Sequence, residues 1–157
     1  MAFTPVTHQR IEALLTEAGL SHFRGDADGE IRTAFPGLVC FFQLDSVGFK
    51  VTTRWLATAR KPKDVLNLRI AANELNRTTP LVRVHAVPRD DGSTLALFEA
   101  PFFTSGGVSD TQLRGMLSFY FTVIRELGKA LEAKLPHILD AAVTEDTSDD
   151  DAKEKEF

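Results

Sequence analysis

Between Pro5 and Ala18 the apolar side chains Ile11, Leu14, Leu15 and Ala18 return at i, i+3, i+4 and i+7, the spacing of a helix with one buried face. Thr4 and Pro5 suit the cap and first turn of that helix, and Gly19 suits its left-handed stop. The period then shortens to two. In "SHFRGDADGEIRTAF" two extended segments flank a turn at 26–29, with Ile31, Thr33 and Phe35 on one face and Glu30 and Arg32 on the other. "PG" at 36 and 37 breaks the chain before "LVCFFQL", and "DSVG" at 45–48 breaks it before "FKVTTRW". There Phe49, Val51, Thr53 and Trp55 alternate with Lys50, Thr52 and Arg54, so the pattern predicts a meander of up to four antiparallel strands.

A second helix is predicted from about Pro62 to Asn76, followed by a hairpin of "LVRVHAV", the turn "PRDDGS" and "TLALFEA". At ~100° per residue, Val65, Leu68, Ala72 and Leu75 share one arc of that helix, and Arg69, Asn73 and Asn76 form a polar ridge on its border. Asn76 falls where the helix should stop, which suits a left-handed cap; Asn73 is placed to tie the helix to the strand connection.

The third helix opens with a capping box, Ser109 reaching forward and Gln112 reaching back. Its apolar stripe holds Leu113, Leu117, Tyr120, Phe121, Ile124, Leu127, Leu131 and Leu135, flanked by Met116 and Val123, and Pro136 ends it. Arg114, Arg125, Lys129 and Glu132 fall on the polar face. The order is α-β-β-β-β-α-β-β-α, which predicts an α+β fold with an antiparallel sheet and helices packed on it.

The formal charge of −4 changes meaning once it is divided along the chain. Residues 144–157, "TEDTSDDDAKEKEF", hold seven acids and two lysines, or −5; residues 1–143 hold 16 bases and 15 acids, or +1. One domain over 1–143 with an acidic, disordered tail is the expected organisation. A near-neutral body lacks the clustered excess of Lys and Arg that binding to nucleic acid or an anionic membrane needs, so neither is expected as a partner. Cys40 has no second cysteine to pair with and sits in an apolar run, where it reads as an inert core residue of a cytoplasmic protein. Twelve phenylalanines against one Trp and one Tyr predict a core held by packing more than by polar networks.

Candidate chemistry is sparse. The four histidines, His8, His22, His85 and His137, show no ligand spacing, so no metal is expected. "GDADGE" lacks the frame of a calcium loop and reads as a hairpin turn, and Gly106-Gly107 lacks the Lys-Ser/Thr of a phosphate loop. No nucleophile elbow is present; catalytic residues and cofactors are expected to be absent. The local concentration of positive charge, Arg54, Arg60, Lys61, Lys63 and Arg69, lies near Trp55, a pairing common at protein interfaces; the opposing reading has Trp55 closing the core at a strand end. Phe119 lies about 240° from Leu113, near Val123 and Ala130 and outside the central stripe, so either a second copy or the post-Pro136 segment with Ile138 and Leu139 should cover it.

The "NELN" end of the second helix, the hairpin "VPRDDGSTLALFEA" and the "GGVSDTQLRGML" lead-in to the third helix together resemble the YbjN family of small bacterial proteins labelled sensory transduction regulators. The resemblance runs from approximately Thr7 to Leu135. It implies a fold similar to the chaperones of type III secretion, whose members commonly pair as dimers and bind extended polypeptide; it supplies no active-site residues. The expectation is a non-enzymatic protein that binds a protein or extended polypeptide as adaptor, regulator or chaperone, and that forms a homodimer. Arg54, Trp55, Arg60, Arg69, Asn73, Asn76, Phe119 and Val123 are the candidate contact residues. The other expectation is a small enzyme or ligand-binding domain with a pocket between sheet and helices.

Overall fold

The computed structural model describes residues 2–27 and 29–138. The acidic tail expected from Thr144, together with Asp28 and Leu139, lies outside the described residues. Helix α1 (His8–Glu17) precedes the meander β1 (His22–Arg24), β2 (Ile31–Phe35), β3 (Leu38–Leu44) and β4 (Gly48–Ala59). Helix α2 (Pro62–Thr78) follows, then the hairpin β5 (Arg83–Pro88) and β6 (Thr94–Phe103), and finally α3 (Asp110–Lys134). The strands form one six-stranded antiparallel sheet in the order β1-β2-β3-β4-β6-β5, so the expected α+β architecture and element order hold.

Two strands run longer than their alternation suggested. β4 continues through a register shift between Trp55 and Thr58, which lets the chain keep pairing with β6 to Ala59. β6 continues through Pro101 because β5 pairs no further than Glu99. Beyond that point β6 has only β4 beside it, and a strand with one free side tolerates a residue that lacks an N–H.

The cap of α1 lies later than expected. Thr7, not Thr4, accepts the Arg10 N–H, at 3.2 Å. Thr4 instead forms a bridge with Val108, and Arg10 ties the two segments by donating to the carbonyls of Thr4 at 2.6 Å and Val108 at 2.8 Å. Gly107 makes this approach feasible: its φ is 80°, and a Cβ there would stand 2.9 Å from the backbone of Phe3. Of the two glycines it is Gly107 that serves this close backbone contact.

All three helices contribute to the core on one face of the sheet. Ile11, Leu15, Leu68, Leu113, Leu117, Ile124 and Leu131 meet Ile31, Cys40, Phe42, Phe49, Val51, Trp55 and Phe98. The capping box of α3 is formed as expected, with Gln112 N–H to Ser109 Oγ at 3.1 Å and the reciprocal bond at 2.9 Å. Packing is not the whole account of the core. Tyr120 Oη and Thr53 Oγ1 share a hydrogen bond at 2.8 Å; the carbonyls of Val51 and Phe98 lie within reach of the Tyr120 hydroxyl at 3.2 and 3.3 Å, and Cys40 Sγ lies within reach of the Thr53 hydroxyl at 3.3 Å. One polar knot therefore joins α3 to β3, β4 and β6. Burial pushes the Cys40 thiol up to about 12, against the smaller opposing effect of the Thr53 bond, and so keeps it in the protonated form at neutral pH. Burial likewise holds Tyr120 far above its ordinary range.

Candidate docking furrow along the third helix

The residues singled out in the sequence do not converge. Trp55 is 1% exposed and faces the helical layer, with its Nε1 lacking an acceptor among the described residues; it cannot present a ring to a partner. Arg54, its neighbour in β4, points to the opposite face of the sheet, half-buried. There burial first, and the charge of Arg89 second, hold its pKa below the ordinary value. The two-residue period of a strand separates this Arg-Trp pair. Arg60 is exposed past the end of β4, 3.8 Å from Asp91, whose carboxylate is held below its usual range chiefly by hydrogen bonds from Ser93.

Asn76 is structural, but not as a helix stop. The helix runs two residues further, and Asn76 turns its amide to the outer edge of β5. Nδ2 donates to the Val84 carbonyl at 2.8 Å and Oδ1 accepts from the Val84 N–H at 2.7 Å, the pair of bonds that another strand would supply. Arg83 completes the clamp by donating to the carbonyls of Asn76, at 3.0 Å, and Thr79. Asn73, assigned the tie between helix and strand, is exposed; Asn76 performs that task. Arg69 is exposed on the same helix.

On α3, Val123 is half-buried against the core and Phe119 is 39% exposed. Ile138 is buried in the core and His137 reaches the carboxylate of Asp64 in α2 at 2.7 Å, so the chain after Pro136, as far as Ile138, is anchored without shielding Phe119.

The concave surface lies on the other flank of α3. Leu14, Leu15, Ala18 and Leu20, Phe35 at the end of β2, and Leu117 and Phe121 line a hollow of about 350 Å³. Arg114, Ser118, Thr122 and Arg125 form its rim. A second hollow of about 240 Å³ adjoins it, sharing Phe35 and Arg125 and extending to Leu38, Gly128, Lys129 and Glu132. Together they make a furrow along α3. Phe35 and Phe121 pack at 5.1 Å between ring centroids, and both are half-buried, as are Leu14 and Leu20. At one end Arg114 bridges to Glu17 of α1 through bonds of 3.1 and 3.3 Å. In the middle, Arg125 stacks over Phe35 at 5.6 Å and has no carboxylate partner among the described residues.

The furrow arises because α1 is short: its ten residues reach only part of α3, leaving the flank at Phe121 and Arg125 uncovered. Placing Phe121 in the apolar stripe with Arg125 one turn on was possible from periodicity; that α1 stops short of them was not. The groups with displaced pKa values, Cys40, Arg54, Asp91 and Tyr120, do not line it. Among the described residues no three His, Cys, Asp or Glu side chains gather as a metal site, and no helix is long and apolar enough to cross a membrane. What the arrangement offers is apolar surface, hydroxyls and one available guanidinium.

The family model of YbjN, described as "Putative bacterial sensory transduction regulator", matches residues 7–133. Among solved structures the fold is similar to that in "Crystal structure of YbjN, a putative transcription regulator from E. coli", with a TM-score of 0.66 over 87% of this chain and 96% of that chain. The identity is 14%, so this likeness speaks for the fold alone. Among curated proteins none matches. With the family model spanning the chain from the cap of α1 to the last turn of α3, this chain belongs to the YbjN family.

Proposed function

We propose that the protein is a regulator that acts by holding an apolar segment of another polypeptide in the furrow along α3, without chemistry of its own. The observation that carries this reading is the half-buried set Leu14, Leu20, Phe35 and Phe121 beside an Arg125 that has no carboxylate partner among the described residues. Apolar side chains left half-covered in a concavity gain by receiving a partner's apolar groups, and the guanidinium and hydroxyls on the rim orient what enters. Regulation is the role the family description names; polypeptide binding is what the furrow adds to it. A cytoplasmic setting belongs to the same reading.

A photoreactive side chain at Ala18, in the furrow, should yield a recurring crosslinked polypeptide in the native cell, and Phe121→Glu should abolish it. The same group at Ala13, exposed on α1 away from the furrow, should not give that product. Equal crosslinking from both positions would sink the proposal. Homodimerisation through Phe119 and Val123 is a separate part of the reading: Phe119→Glu should halve the mass measured by light scattering, and a wild type already monomeric at micromolar concentration would remove it.

A further inference from the structure

Helix α2 carries apolar residues where a helix that only supports a sheet would carry polar ones. Its inner face packs Leu68, Ala71 and Ala72 into the core, yet Leu66 and Ile70, one turn apart on the opposite face, are 57% and 47% exposed. Lys63, Arg69 and Arg77 stand exposed around them, and none has an ion-pair partner among the described residues. The two acids of the helix are engaged elsewhere: Glu74 with Lys134 at 2.9 Å, and buried Asp64 with His137 at 2.7 Å. The outer face is therefore apolar at its centre and cationic at its borders. Beyond the helix, Leu81 is 46% exposed at φ 64°, in a tight turn closed by Val82 N–H to Pro80 O at 2.7 Å. That conformation is ordinarily left to glycine or asparagine, so an exposed leucine there needs a reason.

We propose that the outer face of α2 is a second docking surface, for a partner's amphipathic helix with leucine-type residues along one face and Glu or Asp on its flanks. Charge complementarity selects this occupant. A second copy would bring Lys63, Arg69 and Arg77 against their own equivalents across a two-fold axis. An anionic bilayer is a poorer fit, because only two side chains form the apolar centre and α2 is held flat on the sheet, whereas interfacial helices sink a broad apolar face. With the furrow on the far flank of α3, the molecule would engage two polypeptides at once. This surface stands independently of the furrow.

The test uses the full chain, isotopically labelled, and a synthetic helical peptide with leucines on one face and glutamates on both flanks; its counterpart has lysines in place of the glutamates. The Leu/Glu peptide should shift the backbone amides of Leu66, Ile70 and Arg77. Arg77→Glu should weaken it about tenfold, Leu66→Glu should abolish binding, and Phe121→Glu should leave it unchanged. All three positions are solvent-facing or half-buried, and the amide spectrum of each variant reports directly whether the fold is kept. Equal binding of the Leu/Lys peptide would overturn the proposal, as would shifts confined to the furrow. Three further outcomes assign the face to other occupants and equally overturn it: self-association abolished by Leu66→Glu, binding of phosphatidylglycerol vesicles that depends on Leu66, or α2 shifts produced without peptide by replacing Asp149, Asp150 and Asp151 with Asn.

Discussion

Helices α2 and α3 lie on the same face of one sheet but are attached to it by different means. α3 crosses the sheet's centre with seven buried residues, among them Leu113, Leu117, Ile124 and Leu131, and adds the knot at Tyr120. α2 sits toward the β5 edge with a smaller buried set dominated by Leu68, Ala71 and Ala72, and adds the amide of Asn76. In α3 the polar contact supplements a large apolar surface. In α2 it stands in for a strand, meeting backbone groups on an edge that would otherwise meet water or another chain. Removing a polar contact should therefore cost more at the edge, and removing apolar volume should cost more at the centre.

The largest effect expected is from Ile124→Ala, which empties volume under the middle of α3. It should lower stability by about 3 kcal/mol in denaturant unfolding, with an unchanged m-value. A loss close to that of an exposed site would show that α2 and its clamp, not α3, hold the layer together. Next comes Asn76→Ala, expected to cost about 2 kcal/mol because the Val84 N–H and C=O both lose their partner. Faster hydrogen exchange at the Val84 amide should accompany it. Asn73→Ala, the same substitution one turn earlier on an exposed position, should stay within about 0.5 kcal/mol. Similar losses at the two asparagines would overturn the clamp.

Tyr120→Phe keeps the ring and removes only the hydroxyl. Thr53 retains Cys40 as a partner, so the expected cost is about 1 kcal/mol, smaller than at Asn76. The last effect is in alkali. Cys40 has a folded-state pKa raised from 9.0 to about 12, and that of Tyr120 is raised as well. A group whose pKa is raised on folding stabilises fully below its unfolded value. That contribution is lost as the unfolded chain gives up its proton first. Stability should fall progressively between pH 9 and about 12, followed by the denaturation midpoint. Cys40→Ala should flatten part of that fall, and an unchanged slope in the variant would rule the thiol out as a contributor.

Several features of the site were legible in part. The split between Arg54 and Trp55 follows from the two-residue period of a strand, which puts sequence neighbours on opposite faces. Periodicity places Phe121 in the apolar stripe and Arg125 on the polar face, but the furrow between them depends on where α1 ends. Leu66 and Ile70 fall outside the arc of Val65, Leu68, Ala72 and Leu75, as periodicity allows, but only the packed structure shows them exposed.

By itself the sequence determined the nature of the elements and their order, because helix caps, turn residues and periodicity act over a few residues and need no distant partner. The Ser109 box, the Gly19 stop and the strand alternation are of that kind. Tertiary structure decided what each face meets. It placed β6 inside the sheet and β5 at its edge, gave Asn76 a backbone to clamp instead of a helix to end, and made the Phe121 flank of α3 concave while Phe119 stayed on the other side. The physical reason is that periodicity states which side chains share a face, whereas the cover over that face depends on the lengths and positions of other elements. That information is distributed along the whole chain, and it becomes readable only when the chain has packed.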